Sequence, residues 1–433
     1  MLRLRVALVA AVLAACVVIA LVLRPTTKGD ENVPVIPTPP GAKNGRAVSD
    51  PFAWTQNRSA DLSARAAAGT AHLLYTRSPN GAAVTAERVA RYRKPIERAA
   101  KAAGVDPNRL EALVFLESAG RPEAQAPGGV QSAAGLTQIL AETATGLLGM
   151  KVDTVKSASY TRRFNQALRD GNLPRAAALN RARRRVDDRF DPAKALAGTA
   201  RYLKIARERF GRQDLAFVSY HMGIGNLENV LKAFGGGRRS YAELYFDSTP
   251  LRHAKAYAKL ASFGDDSSNY YWKLSAAMQI MHLARTDKDR LVRTAQLQTA
   301  DDSARTLLLD GAPQGDLRSL PNVTADTSLA AAPGVKLRPE ALGAALYAAA
   351  QVREISKAPT LRVTGADDGG WTFRVSRTYS SPEQAQAFQF ALDRLQVLNV
   401  IAWSRAASSI SITASRDAKV LEPLLDRLGG KAK

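Results

Sequence analysis

Asp106-Pro107-Asn108-Arg109-Leu110-Glu111-Ala112-Leu113-Val114-Phe115-Leu116-Glu117-Ser118-Ala119-Gly120-Arg121-Pro122 is the stretch that decides the fold class. Asp106 can cap free N–H groups, and Pro107 is preorganised for the first helical position. Leu110, Leu113, Val114 and Leu116 then recur at helical spacing. Gly120 and Pro122 stop the helix and leave Glu117 in its last turn. The partial negative charge of a helix C-terminus disfavours a carboxylate there, and apolar neighbours such as Leu113 and Val114 add a desolvation penalty. Glu117 is therefore a candidate carboxyl that keeps its proton near neutral pH. That is what a general acid needs when it protonates a leaving oxygen. An isolated Glu-Ser at a helix end would otherwise be an ordinary surface pair.

Outward from this segment the helical pattern continues. Ile96 to Lys101 is helical and ends at Gly104, and further helices are expected over Asp191 to Phe210, Gln213 to Met222 and Asn269 to Thr286. No strand pattern stands out between Val84 and Thr286, so the region from about residue 87 to 290 reads as an all-α domain. Residues 51–86 are mixed and Ala-rich and carry no evident function. Residues 291–337 read as a linker, loop-like from Asp310 to Val335. Beyond it, helix is expected over Pro339 to Ile355 and strands over Leu361 to Val363 and Trp371 to Arg377. A helix over Pro382 to Leu398, strands over Val400 to Trp403 and Ser409 to Ala414, and a helix over Ala418 to Leu428 complete a small α+β domain, 338–428.

At the other end, Arg3 and Arg5 precede an uninterrupted apolar run from Val6 to Leu23, closed by Arg24-Pro25. About 18 residues at about 1.5 Å each are just enough to cross a bilayer core. Residues 1–24 are thus expected to be a single-pass transmembrane helix in the cell membrane, with the body extracytoplasmic. Leu13-Ala14-Ala15-Cys16 also fits a lipobox, and a cleaved secretory signal is a third option. Residues 25–50, with Pro34, Pro37, Pro39 and Pro40, form an extended Pro-rich stalk.

The chain has 433 residues and a formal net charge of +22. Such a field attracts polyanions, among them anionic wall polymers and lipid headgroups. The cations come without an RNA-binding aromatic signature, a zinc finger or a helix-turn-helix, so nucleic acid is not the expected partner. Many of them lie in Leu147 to Arg189, including Arg181, Arg183, Arg184 and Arg185, either as a solvated helical face or as a contact for anionic polymer. The single cysteine, Cys16, excludes a disulfide framework within this chain and Cys-based zinc sites. With only His72, His221, His253 and His282, neither a metal site nor a cofactor is expected.

The surroundings of Glu117 resemble the lytic transglycosylases of the soluble-lytic-transglycosylase catalytic family, whose fold is goose-lysozyme-like. Their first motif matches Glu117-Ser118-Ala119-Gly120-Arg121-Pro122, then Ser132-Ala133-Ala134-Gly135-Leu136-Thr137-Gln138-Ile139 and Glu142-Thr143-Ala144. Their second matches Gly198-Thr199-Ala200-Arg201-Tyr202-Leu203 and Ala216-Phe217-Val218-Ser219-Tyr220-His221-Met222-Gly223. The two motifs stand in the right order, about a hundred residues apart, as the resemblance requires.

The resemblance implies cleavage of the β-1,4 bond between N-acetylmuramic acid and N-acetylglucosamine in peptidoglycan glycan strands. Glu117 would act first as acid and then as base on the muramyl C6 hydroxyl, closing a 1,6-anhydro ring without consuming water. Ser118 and Gln138 would position sugar groups, and Gly135 would let backbone approach the saccharide. The Tyr220 hydroxyl would hydrogen-bond near Glu117, and Tyr257 would match a second site tyrosine.

The chain departs from the family pattern at several places. Thr137 replaces Met, Ala141 replaces Pro, Gln125 to Gln131 are extra, and His221 stands where Asn is usual. An exposed histidine titrates near about pH 6.5 and would bring pH dependence. A muramidase on the same fold, using water and a second carboxylate such as Glu123 or Glu142, stays open, as does a silent wall-binding protein. The C-terminal domain more weakly resembles D-alanyl-D-alanine zinc carboxypeptidases, but Arg374 and Ser411 replace the Asp and His of their strands. The resemblance then implies a module without metal that binds wall peptides.

Overall fold

In a computed structural model, the described residues are 52–250, 252–298, 323–325, 344–345, 347–349, 360–367, 372–378, 381–406 and 409–414. All fall within the compact unit Thr38–Lys433. The anchor (1–24) and stalk (25–50) lie outside them, as do Ala418 to Leu428 and most of Pro339 to Ile355. Among the described residues no helix is long and apolar enough to cross a membrane.

The protein is mostly helical with a small sheet near its C-terminal end. Chain order runs α1 (Ser59–Arg77), α2 (Ala82–Ala90), α3 (Arg93–Ala103) and α4 (Pro107–Ser118). A hairpin of α5 (Thr154–Arg169) and α6 (Leu173–Val186) follows. Then come α7 (Pro192–Phe210), α8 (Gln213–Met222), α9 (Ile224–Phe234), α10 (Tyr241–Phe246), α11 (Ala254–Ser262), α12 (Tyr270–Thr286) and α13 (Lys288–Leu297). Capping sets these boundaries. Asp106 accepts from the Asn108 N–H at the start of α4, and Asp191 accepts from Ala193 and Lys194 at the start of α7. Gly104 ends α3 at φ 63°.

The C-terminal sheet has five strands in the order β1-β2-β3-β5-β4. They are β1 (Val323–Ala325), β2 (Thr360–Asp367), β3 (Thr372–Thr378), β4 (Ile401–Ala406) and β5 (Ser409–Ala414), and α14 (Pro382–Val397) precedes β4. Neighbours pair antiparallel except β1, which runs parallel to β2. The expected 291–337 linker therefore donates a strand: three residues are too short for alternation to show. Helix α13 likewise runs past residue 290. Arg374 and Ser411 stand opposite each other in the β3–β5 register.

Two expected boundaries dissolve in the packing. The catalytic region was expected to begin at 87, but that position falls inside α2. The unassigned 51–86 segment is core structure: Leu62 and Ala66 of α1 are buried with Leu244, Tyr245 and Trp272, and Ala82, Ala86 and Val89 of α2 with Leu113 and Ile280. Helix α14 joins the same apolar cluster as α1 and α11 through Phe388, Ala391 and Leu395. The small α+β module is thus docked along a shared core.

Gly69 shows how close that docking is. A Cβ there would stand 2.0 Å from the carbonyl oxygen of Val397, a backbone atom that cannot rotate away. Gly69→Ala is expected to force α1 and the end of α14 apart, at about 1–3 kcal/mol. Denaturant unfolding should show a lowered midpoint at constant slope; an unchanged midpoint would refute the close crossing.

Candidate active site

Glu117 occupies the last turn of α4, and the turn after it is tightly held. Ala119 (φ 53°) and Gly120 (φ 71°) both adopt left-handed backbone. A side chain at Gly120 would meet backbone of α2, with Arg88 C and Val89 N both 2.9 Å from its Cβ. Arg88 reinforces the contact: its Nε donates to Ala119 O at 3.0 Å, and one Nη donates to Pro79 O at 2.8 Å and to Thr85 Oγ1 at 2.7 Å. Residues that the family motif does not contain thus set the direction in which Glu117 leaves its helix.

The two acids of α4 sit in opposite electrostatic settings. Glu111 is buried and ion-paired with Arg93 at 3.1 Å and with Arg285. Among the described residues Glu117 has no such cation. Its hydrogen-bond donor is the Tyr270 hydroxyl, 2.7 Å from Oε1. Loss of solvent pushes the Glu117 pKa up to about 7, only partly opposed by that hydrogen bond, which favours the ionised form. Burial also raises the Tyr270 hydroxyl well above its usual range, with the Glu117 charge adding to the effect, so it stays a proton donor. Near pH 7 the carboxyl is divided between its acid and base forms, which is what one group alternating between the two roles requires.

Several expected roles change in the structure. Tyr220 does not hold Glu117: its hydroxyl donates to Thr137 O at 2.7 Å and meets Thr199 Oγ1 at 3.2 Å, tying α8 to the Gln138 loop. Tyr257 is not at the site. It is fully buried between α11 and α14, donating to Ala387 O at 2.6 Å. The tyrosine at the site is Tyr270, which sequence reasoning missed because it lies in an ordinary-looking helix start, 153 residues from its partner.

Ser118 is buried and donates to Leu136 O at 2.7 Å, so its proton pins the helix end to the loop rather than a sugar. Gly135 (φ 83°) is required by protein backbone rather than by a saccharide, since a Cβ would lie 1.8 Å from Arg189 O. Gln138, itself at φ 52°, donates both amide hydrogens, to Ala124 O at 3.0 Å and Gly135 O at 2.8 Å. Its amide oxygen is the part left to accept from a ligand. His221 is exposed and stacks on Tyr270 with ring centres 4.8 Å apart and planes 4° off parallel, its Nε2 being 3.9 Å from Asp265. It therefore backs the tyrosine that holds Glu117.

Of the two acids considered as a second carboxylate, Glu123 is engaged elsewhere, by Asn180 at 2.9 Å and Arg184 at 3.3 Å. Glu142 is exposed. Neither contributes to the Glu117 shift, whose causes are desolvation and Tyr270.

Tyr270→Phe is expected to raise the Glu117 pKa further, because the lost hydrogen bond had favoured the ionised form. The alkaline limb of the pH–rate profile should move up by roughly half to one unit while kcat falls about tenfold through loss of orientation. An unmoved limb would show that Tyr270 does not act on Glu117.

Residues 173–241 match the family described as the Transglycosylase SLT domain. That match supports a lytic transglycosylase of the lysozyme-like family. The matched span runs from α6 to the start of α10 and holds Gly198, Tyr202 and Tyr220, while Glu117 lies upstream of it. No curated protein matches the chain.

Proposed function

We propose that the protein cleaves peptidoglycan glycan strands without water, with Glu117 as the only catalytic carboxyl. The observation that carries this reading is the setting of Glu117: a desolvated carboxyl with a pKa of about 7 and a tyrosine as its donor. Protonated Glu117 gives its proton to the oxygen joining N-acetylmuramic acid to N-acetylglucosamine, and the C1–O bond breaks. The substrate's own N-acetyl oxygen stabilises the cationic C1. Glu117, now ionised, takes the proton of the muramyl C6 hydroxyl, whose oxygen closes on C1 as a 1,6-anhydro ring. The carboxyl ends as it began. One group suffices because the nucleophiles come from the substrate, where most glycosidases need two carboxylates.

Mass analysis of products tests the reading. Muramyl ends lighter by one water than hydrolytic ends are expected, and hydrolytic ends would make the protein a muramidase instead. The apolar run Val6–Leu23 supports tethering of this activity at the outer face of the cell membrane. Fractionation should then find the chain with membranes, and removal of residues 1–24 should release it.

A further inference from the structure

The pocket that opens beside Glu117 is walled on its far side by the segment upstream of the family motifs. Leu73, Leu74 and Arg77 from the end of α1, with Ser78 and Pro79, face Phe115, Leu116, Glu117 and Arg121 across a depression of about 210 Å³. Its walls are apolar, and its charged groups other than Glu117 are two guanidiniums, Arg77 and Arg121. Both side chains are exposed at the rim, and among the described residues neither is ion-paired with an acid. Arg121 spends only its Nε, on Ser118 O at 3.0 Å, which leaves its terminal nitrogens free to donate. Arg88 behind them is committed to Pro79, Thr85 and Ala119 and so joins the two walls. Its own pKa is lowered by burial first and then by the nearby charges of Arg121 and Arg91, as expected where cations gather without a counter-charge.

We propose that Arg77 and Arg121 form an anion subsite for a free carboxylate on the peptide stem of the muramyl residue being cleaved. The inference rests on the proposed function and names what the site selects. The muramyl ring that reacts at C1 also carries its peptide, through the lactyl group on O3, so a stem enters beside the acid at every productive event. The apolar walls suit the methyl groups of alanine, and guanidinium forks suit carboxylates, which they bind with two parallel hydrogen bonds. A glycan without stems offers nothing for this half of the pocket.

The test compares peptide-bearing strands with the same strands after their stem carboxylates have been converted to amides. The full chain should prefer the carboxylate form by about tenfold in kcat/KM, the size of one charge-assisted hydrogen bond, mostly through KM. Arg77→Gln should remove most of that preference, and Arg77→Glu should invert it. Equal loss on both substrates would overturn the subsite and leave Arg77 as mere wall. If wild type turned over neither substrate, the enzymatic reading would fail. Titration of Glu117→Gln with soluble muropeptides, carboxylate against amide, then decides the subsite independently: a preference that Arg77→Gln abolishes supports it, and equal binding sinks it.

Discussion

Glu117→Gln is expected to lower turnover on peptidoglycan by about a thousandfold, within the range that acid–base groups contribute. The amide is isosteric and can still accept from Tyr270, so substrate affinity should change little. The loss should fall on kcat. In the wild type the proton-donating form disappears as pH rises through about 7, and turnover should decline along that limb.

The same substitution should also stabilise the protein, in a pH window whose sign follows from the shift. The folded-state pKa is raised from 4.5 to about 7, so the native state holds its proton longer than the unfolded chain. Stability from this group is full below about pH 4.5 and is lost as pH rises through about 7. Above that, the wild type carries a carboxylate in a poorly solvated place and the glutamine variant does not. Discounting for the partial exposure of Glu117, the variant should gain of order 2 kcal/mol at pH 9 and almost nothing at pH 4. Denaturant titrations of both proteins at the two pH values measure this. A gain that does not depend on pH would refute the raised pKa.

The second large effect concerns Arg189. It is fully buried and doubly bonded to buried Asp187, with Nε 3.0 Å from Oδ1 and Nη2 2.8 Å from Oδ2. Its remaining hydrogens go to Ser132 O, Ile139 O and Val130 O, at 2.9, 3.3 and 2.6 Å, so it organises the loop that carries Gly135 and Gln138. Arg189→Met would leave a buried carboxylate without its cation and strip Ser132 O and Val130 O of their donor, while Ile139 O keeps the Ala134 N–H. The expected cost is about 3–5 kcal/mol, the usual penalty for removing one partner of a buried pair. Adding Asp187→Asn should recover part of it, because the stranded charge is gone while Ser157 can still donate to the side-chain oxygen. Full stability of the single variant, measured by denaturant unfolding, would contradict this role.

Arg189 also shows the limits of reading charge. The basic stretch Leu147 to Arg189 reads as one surface, yet it divides in two. Arg162, Arg163, Arg169, Arg175, Arg181 and Arg185 are exposed and available to a polyanion. Arg183 is buried, its guanidinium 3.8 Å above the Phe190 ring and bonded to Asn180 at 2.8 Å, and burial lowers its pKa to about 10. Nothing in the local pattern separates the two kinds.

Local chemistry was legible from the chain alone. The cap at Asp106, the stop at Gly120, the apolar spacing of α4 and the extent of α8 are interactions among near neighbours, so composition and spacing specify them. The choice of Glu117 as the proposed acid rests on the same kind of signal, because helix end, apolar flank and motif coincide there. The partners of that acid did not follow. Tyr270 instead of Tyr220, the commitment of Ser118 and Gly135 to protein backbone, Tyr257 locked against Ala387, and an α1 wall bearing Arg77 all arise from segments far apart in sequence. Their placement depends on how helices cross and which polar groups are buried together, and a one-dimensional pattern carries no record of either.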